Sequence, residues 1–182
     1  MPATEVGLPE CRIPVQTLLH LRRAFRQWGT PLGAVHALHE AGYATGAALL
    51  SDLTMALGGT DPSDLEVSAF WAATSEFLSD RGWGILEPPA RLHSGIGLLR
   101  LAAGAESDPS SGETQPSCAF TAGLLSHLLT AAAGGPIATL EIDCRSRGDE
   151  ACRFLYGSAV AIHEVYGHLL EGNTLEEALA RL

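Results

Sequence analysis

Cys118-Ala-Phe-Thr-Ala-Gly123-Leu-Leu, then Gly135-Pro136-Ile-Ala-Thr-Leu-Glu141-Ile-Asp-Cys144, then Gly148-Asp-Glu-Ala-Cys152-Arg-Phe154 is the stretch whose reading decides the fold. Ser117 can cap a helix running from Cys118 to Ala133, and Gly134-Gly135 followed by a proline closes it. Ile137–Ile142 and Cys152–Tyr156 then read as two strands. Each cysteine stands at the end of an element: a helix start, a strand end and the start of the next strand. Gly148-Asp149 suits a tight reversal, which lets the sulfurs of Cys144 and Cys152 face each other across a hairpin-like turn. A thiolate on Cys118 would gain from the dipole of the helix it opens.

Outward from this stretch the pattern changes toward helices. Val15–Trp28 carries Leu18, Leu21, Phe25 and Trp28 at helical spacing, and Thr30-Pro31 offers an N-cap with proline at the first helical position. The second helix is expected to reach Leu57, with Gly42 and Gly46 four apart in its middle, where another helix could approach closely or the axis could bend. Ser63-x-x-Glu66 has the form of a capping box before a third helix over Leu65–Leu78. From Trp83 the period shortens, and Ile85-Leu86 and Ile96–Leu101 read as strands around the Pro88-Pro89 interruption. Gly104–Ser117, rich in Ser, Gly and Pro, reads as a mobile loop. At the end, Ile162, Val165, Tyr166, Leu169 and Leu170 form an apolar stripe, and Thr174-x-x-Glu177 restarts a helix. The order predicts one α/β (α+β) domain over 15–182 behind an N-terminal segment 1–14. Its first half, 15–80, is helical, and 83–182 holds the sheet.

Composition narrows the function. With 182 residues, 46% of them hydrophobic and 18% charged, the chain can bury one aliphatic core and is not disordered. The longest apolar runs are too short to cross a bilayer. The acidic, proline-containing start Met1–Glu10 does not read as a secretory signal, so a cytoplasmic location is expected. Eleven basic residues against 21 acidic ones, net charge -10, disfavour direct nucleic-acid binding. Arg22, Arg23 and Arg26 are the one basic cluster and read as a solvated helix face.

Three thiolates near one point need a cation, and a closed zinc site needs a fourth donor. Glu141 is the nearest candidate, provided the strand curls near Asp143, because in a straight strand residues 141 and 144 point to opposite faces. Cys11 is the rival donor or else a free thiol. Three thiolates, one carboxylate and a divalent cation sum to -2, which Arg145, Arg147 and Arg153 are placed to offset. Spacing alone leaves open the alternatives of ordinary buried cysteines or a Cys144–Cys152 disulfide, the latter requiring an oxidising compartment.

The quoted stretch resembles the signature of the 4-vinyl-reductase-like family, which includes the sensory domains of phenol- and toluene-responsive bacterial activators. Gly42-Tyr43 with Gly46, and Gly82-Trp83-Gly84 before a strand, also look like that family. The resemblance implies a zinc site of Cys118, Glu141, Cys144 and Cys152. It further implies a fold related to the vesicle-tethering TRAPP subunits, with helices on a small antiparallel sheet, and a homodimer. Its members bind small apolar or aromatic molecules and some pass occupancy to an effector, here expected on a separate protein. Phenol sensors hold the ligand hydroxyl with a His and a Trp, for which His93 and Trp83 are candidates. Phe120, Leu124 and Tyr156 complete an apolar lining, and His127, two turns beyond Cys118, could add a polar contact. The family name also implies an alternative, a reductase or accessory protein acting on a tetrapyrrole vinyl group, but no G-x-G-x-x-G follows a strand here. No base paired with a nucleophile stands near the lining, and a four-ligand zinc leaves no open position, so binding without turnover is expected. His163-Glu-Val-Tyr-Gly-His168 has one residue too many for H-E-x-x-H, and His36 with His39 reads as a surface pair.

Overall fold

Thr30 and Pro31 open the longest helix in the computed structural model, which describes residues 13–182. The Thr30 hydroxyl accepts from the Gly33 N–H at 3.0 Å, the ordinary way of satisfying a free donor in the first turn. Helix α1 spans Val15–Trp28, α2 Pro31–Ala56 and α3 Val67–Asp80. Strands β1 (Ile85–Leu86), β2 (Ala90–His93) and β3 (Ile96–Ala102) come next, then α4 (Ala119–Ala133), β4 (Ala138–Asp143) and β5 (Cys152–Gly157). Helices α5 (Ala159–Leu170) and α6 (Leu175–Leu179) end the chain, α6 opened by the expected Thr174–Glu177 capping box.

All pairings are antiparallel, in the order β1-β3-β5-β4, with β2 also paired to β3. The two-residue alternation of β3 sorts its side chains. Leu99 and Leu101 join Phe154 of β5 and Leu124, Leu125 and Leu128 of α4 in the larger core, to which α2 adds Leu49 and Leu53 and α3 adds Phe70, Phe77 and Leu78. Ile96 and Leu155 point the other way, onto Ile162 and Val165 of α5 and Ala178 of α6. Helices therefore cover both faces of one small sheet. Gly42 and Gly123 bring α2 and α4 into backbone contact, since a Cβ built on either would stand 1.9 Å from Phe120 O or 2.0 Å from His39 O. The close approach, and not a bend, is what the glycines of α2 serve. Among the described residues no helix is long and apolar enough to cross a membrane.

Several expectations fail for reasons that lie outside the local sequence. Ser63 and Glu66 form no capping box: Asp61 accepts from Ser63 N at 2.8 Å, a short 3-10 turn occupies Pro62–Asp64, and α3 begins at Val67. Strand β2 follows Pro88-Pro89 and is fully exposed; its pairing to β3, not its own pattern, makes it a strand. Residues 104–117 are pinned. Glu106 is 1% exposed, Asp108 N donates to Ser146 Oγ at 2.8 Å, and Glu113 N donates to Ser146 O at 2.9 Å. Arg22 is not solvated but 1% exposed. In the tail, only Ile162 and Val165 of the apolar stripe are buried, and Tyr166 and Leu170 face solvent.

Candidate metal centre

Cys118 is the N-cap of α4, Glu141 lies on β4, Cys144 follows β4 and Cys152 opens β5. On the α4 side of the sheet, Thr139 donates through its hydroxyl to Ala122 O at 2.6 Å, and Glu141 is two residues further on the same face. The register then slips between Glu141 and Asp143, a bulge that turns Cys144 back to that face. A 3-10 turn over Arg145–Arg147 and Gly148 at φ 103 reverse the chain to Cys152. The loop is held by Asp149, whose Oδ2 accepts from Cys144 N at 2.8 Å.

These elements put one ligand atom of each of Cys118, Glu141, Cys144 and Cys152 within 4.8 Å of one another. Cys118 Sγ is 3.6 Å from Cys144 Sγ and 3.7 Å from Cys152 Sγ, and all three cysteines are buried and free of disulfides. The Cys144–Cys152 disulfide considered above is therefore not formed. Glu141 Oε2 accepts from Cys118 N at 2.7 Å, whereas Oε1 is buried with no hydrogen-bond partner. Cys11 lies outside the described residues.

Without a cation the four groups compete for protons. Hydrogen bonds from Cys118 and Cys152 hold the Cys144 thiol far below its ordinary value. The bond donated to Cys144 keeps Cys118 well above its own, with burial adding to the rise. For Cys152, the contact with Cys118 lowers the value, but the contact with Cys144 and burial outweigh it and push it up to about 12. Burial, then the charge on Cys144, raises Glu141. One anion is tolerated and the others stay protonated, the pattern of a donor set that ionises fully only around a metal. The group can hold a metal ion.

The arginines assigned to offset its charge are engaged elsewhere. Arg147 donates to Asp149 at 2.8 Å and to Asp143 at 2.9 Å, and Arg153 pairs with Asp143. Arg100, Arg153, Asp143, Asp149 and Glu150 line a charged depression of about 400 Å³ on the other side of the sheet. The cation nearest the sulfurs through hydrogen bonds is Arg22, whose Nη1 donates to Ser117 Oγ at 2.9 Å, itself 3.5 Å from Cys144 Sγ. Glu106 completes this layer: its Oε2 accepts from Thr121 N at 2.8 Å and its carbonyl from Arg22 at 2.8 Å. Sequence reasoning missed both. Arg22 follows Leu18 by four and shares its helix face, a signal that was present, whereas nothing local marks Glu106.

Of the expected pocket residues, Trp83 and Phe120 stack at 5.6 Å between ring centroids, and Leu124 lies in the core beside them. Tyr156 packs on the same core, 6.0 Å from the Trp71 ring. His127 sits between α2 and α4 with its ring edge on Tyr43 at 4.8 Å and its Nδ1 buried and unpartnered. His93 is not brought to them. It is exposed and pairs with Ile96, at the end of β3 opposite the Ala102 end that Ile85, two residues after Trp83, pairs with.

Comparison with known proteins places the centre. The family model for the vinyl-4-reductase (4VR) domain matches residues 108–158. No curated protein matches the chain. The phenol-responsive sensory domain of the transcription activator PoxR, solved with phenol, is similar at 18% identity over 83% of this chain and 79% of that one, with a TM-score of 0.61. A vinyl-4-reductase family protein from Methanocaldococcus jannaschii gives 17%, 81%, 82% and 0.50. A trafficking protein particle complex subunit 3 from Naegleria fowleri, covalently bound to palmitic acid, gives 12%, 79%, 91% and 0.56. At these identities the likeness is one of fold. The stretch that carries all four donors matches the vinyl-4-reductase domain, and the chain shares with these structures a fold of helices on a small antiparallel sheet.

Proposed function

We propose that this protein is a zinc-containing small-molecule-binding domain of sensory or regulatory type, which holds a hydrophobic or aromatic ligand beside the metal centre without converting it. The observation that carries the reading is the convergence of three cysteines and one half-free carboxylate from separate elements. A tetrahedral zinc with Zn–S bonds of about 2.3 Å has S···S edges of about 3.8 Å. The separations of 3.6 and 3.7 Å about Cys118 fit that figure. Zinc bound there supplies a structural cross-link between the start of α4 and the β4–β5 turn, and the four protein ligands leave no position for a substrate.

The ligand reading is supported by the partly buried aromatic rim of Trp71, Trp83, Phe120 and Tyr156 on an aliphatic core. Buried Thr74 Oγ1 and His127 Nδ1, both without partners, offer the few polar contacts such a site needs. The structure of PoxR is described with phenol, which makes a small aromatic molecule the first class to test. Three free thiols suit a reducing compartment such as the cytoplasm, and a separate effector protein would receive the signal.

Elemental analysis of purified protein is expected to give one zinc per chain. Cys144→Ser and Cys152→Ser are expected to lose it together with several kcal/mol of stability. Unchanged metal content and melting temperature in both would sink the zinc reading. A panel of aromatic and isoprenoid compounds is expected to raise the melting temperature without new products. Multiple-turnover conversion that disappears in Glu141→Gln would instead identify an enzyme.

A further inference from the structure

Charge, not apolar burial, attaches α1 to the rest of the protein. Among its described side chains Arg22 alone is buried, whereas Val15, Leu21 and Phe25 keep nearly half their surface in water. Arg22 Nη1 donates to Glu106 O at 2.8 Å and Ser117 Oγ at 2.9 Å, while Nε and Nη2 are enclosed without a hydrogen bond. Enclosing a guanidinium in this way is unfavourable unless negative charge lies close by. Glu113 does not fully meet that need. It stands 3.5 Å from Arg22 Nη2 and makes its short bonds, 2.6 and 2.7 Å, to Arg26.

The remaining negative charge is that of the sulfur cluster. Having accepted from Arg22, the Ser117 hydroxyl has its own proton to donate, and Cys144 Sγ lies 3.5 Å away. A polarised chain thus runs from the guanidinium through one hydroxyl to one ligand sulfur. Arg23 and Arg26 of α1 grip Asp108 and Glu113 in the same segment, the one that leads into Cys118. Zinc with three thiolates and a carboxylate carries a net charge of -2, the complement an enclosed cation lacks.

We infer that Arg22 is the counter-cation of the metal centre, acting on Cys144 through Ser117, and that α1 is docked by this link so that its attachment follows metal occupancy. The inference rests on the metal reading given above. Arg22 is a positioning residue: it touches no metal, but it fixes the hydroxyl that orients and partly neutralises a ligand sulfur.

Zinc-loaded full-length protein, Arg22→Met, Arg22→Lys, Ser117→Ala and the control Arg23→Met are compared for release of zinc to a chromophoric chelator. Arg22→Met and Ser117→Ala are expected to weaken retention about 10- to 100-fold, the usual effect of losing a partner behind a ligand. Arg22→Lys keeps the charge and should fall between, and Arg23→Met should match the parent. The sulfur-to-metal charge-transfer band of the cobalt(II)-substituted protein is expected to move in Arg22→Met and Ser117→Ala, a change that a mere loop staple would not produce. Hydrogen exchange over residues 15–28 should quicken in Arg22→Met and in the parent after zinc withdrawal. If Arg22→Met does not fold, Ser117→Ala, which deletes one hydroxyl, and Arg22→Lys decide the matter. Zinc held by the parent but released at the same rate, with the same cobalt band, by these variants overturns this inference alone. A parent that holds no zinc overturns the metal reading and this inference with it.

Discussion

Glu106 caps a helix from a distant loop. Cys118 occupies the N-cap position of α4 without making a side-chain cap bond, and Glu106 takes over by accepting from Phe120 N at 3.2 Å and Thr121 N at 2.8 Å. Burial pushes its carboxyl up to about 7, against the lowering effect of Thr121, Phe120 and Arg22. A carboxyl raised on folding favours the neutral form. Its contribution is therefore fully present below its ordinary value of 4.5 and is lost as pH rises through about 7. The shift corresponds to about 3 kcal/mol at roughly 1.4 kcal/mol per unit. Glu106→Gln keeps an acceptor for the helix N–H groups and cannot ionise. Between pH 4.5 and 8, chemical denaturation is expected to move the stability difference in its favour by about that amount. Parallel pH profiles for the two proteins would mean that Glu106 titrates normally.

The α2–α4 crossing is decided by hydrogen atoms in place of side chains. An added Cβ meets backbone at Gly42 and Gly123, 1.9 Å from Phe120 O and 2.0 Å from His39 O, and no side-chain rotation can relieve either clash. Gly42→Ala and Gly123→Ala are each expected to cost about 1–3 kcal/mol or more, read as a lower denaturation midpoint at unchanged slope. Gly167 in α5 has nothing within 4 Å of its built Cβ. Gly167→Ala is thus expected to stabilise by about 0.4–1 kcal/mol through the unfolded chain. The crossing also bears on the centre, because α4 carries Cys118 at its start and Phe120 and Leu124 within its first two turns. Pushing the two helices apart should therefore loosen zinc as well, measured by the same chelator.

At the scale of the molecule, exposed apolar side chains concentrate on the first two helices: Val15, Leu21 and Phe25 on α1, Leu32 and Val35 on α2. One face carrying that many large apolar groups is a candidate for self-association by a two-fold axis. A homodimer is the expected state, about 38 kDa by light scattering from a chain of 19.1 kDa. Phe25→Glu should shift it toward monomer. A single species near 19.1 kDa at micromolar concentration would count against the dimer.

Much of this protein was legible in the sequence alone. Helix periods, the Thr30-Pro31 and Thr174–Glu177 starts, the Gly134 stop and the three cysteines at element ends are local signals, and the elements formed close to where those signals stood. The curl that returns Cys144 to the face of Glu141 was legible too, since alternation is a rule of the strand itself. What only the tertiary structure decided involves partners far apart in the chain. Arg22 reads as one more solvated charge until residue 106, 84 positions later, folds over it, and a polar loop does not announce what it is packed against. Strand β2 exists because β3 offers it hydrogen bonds, and α3 starts late because Asp61 reaches Ser63 first. Propensity and periodicity are properties of neighbours along the chain, whereas burial of a charge is settled by whatever the rest of the fold brings next to it.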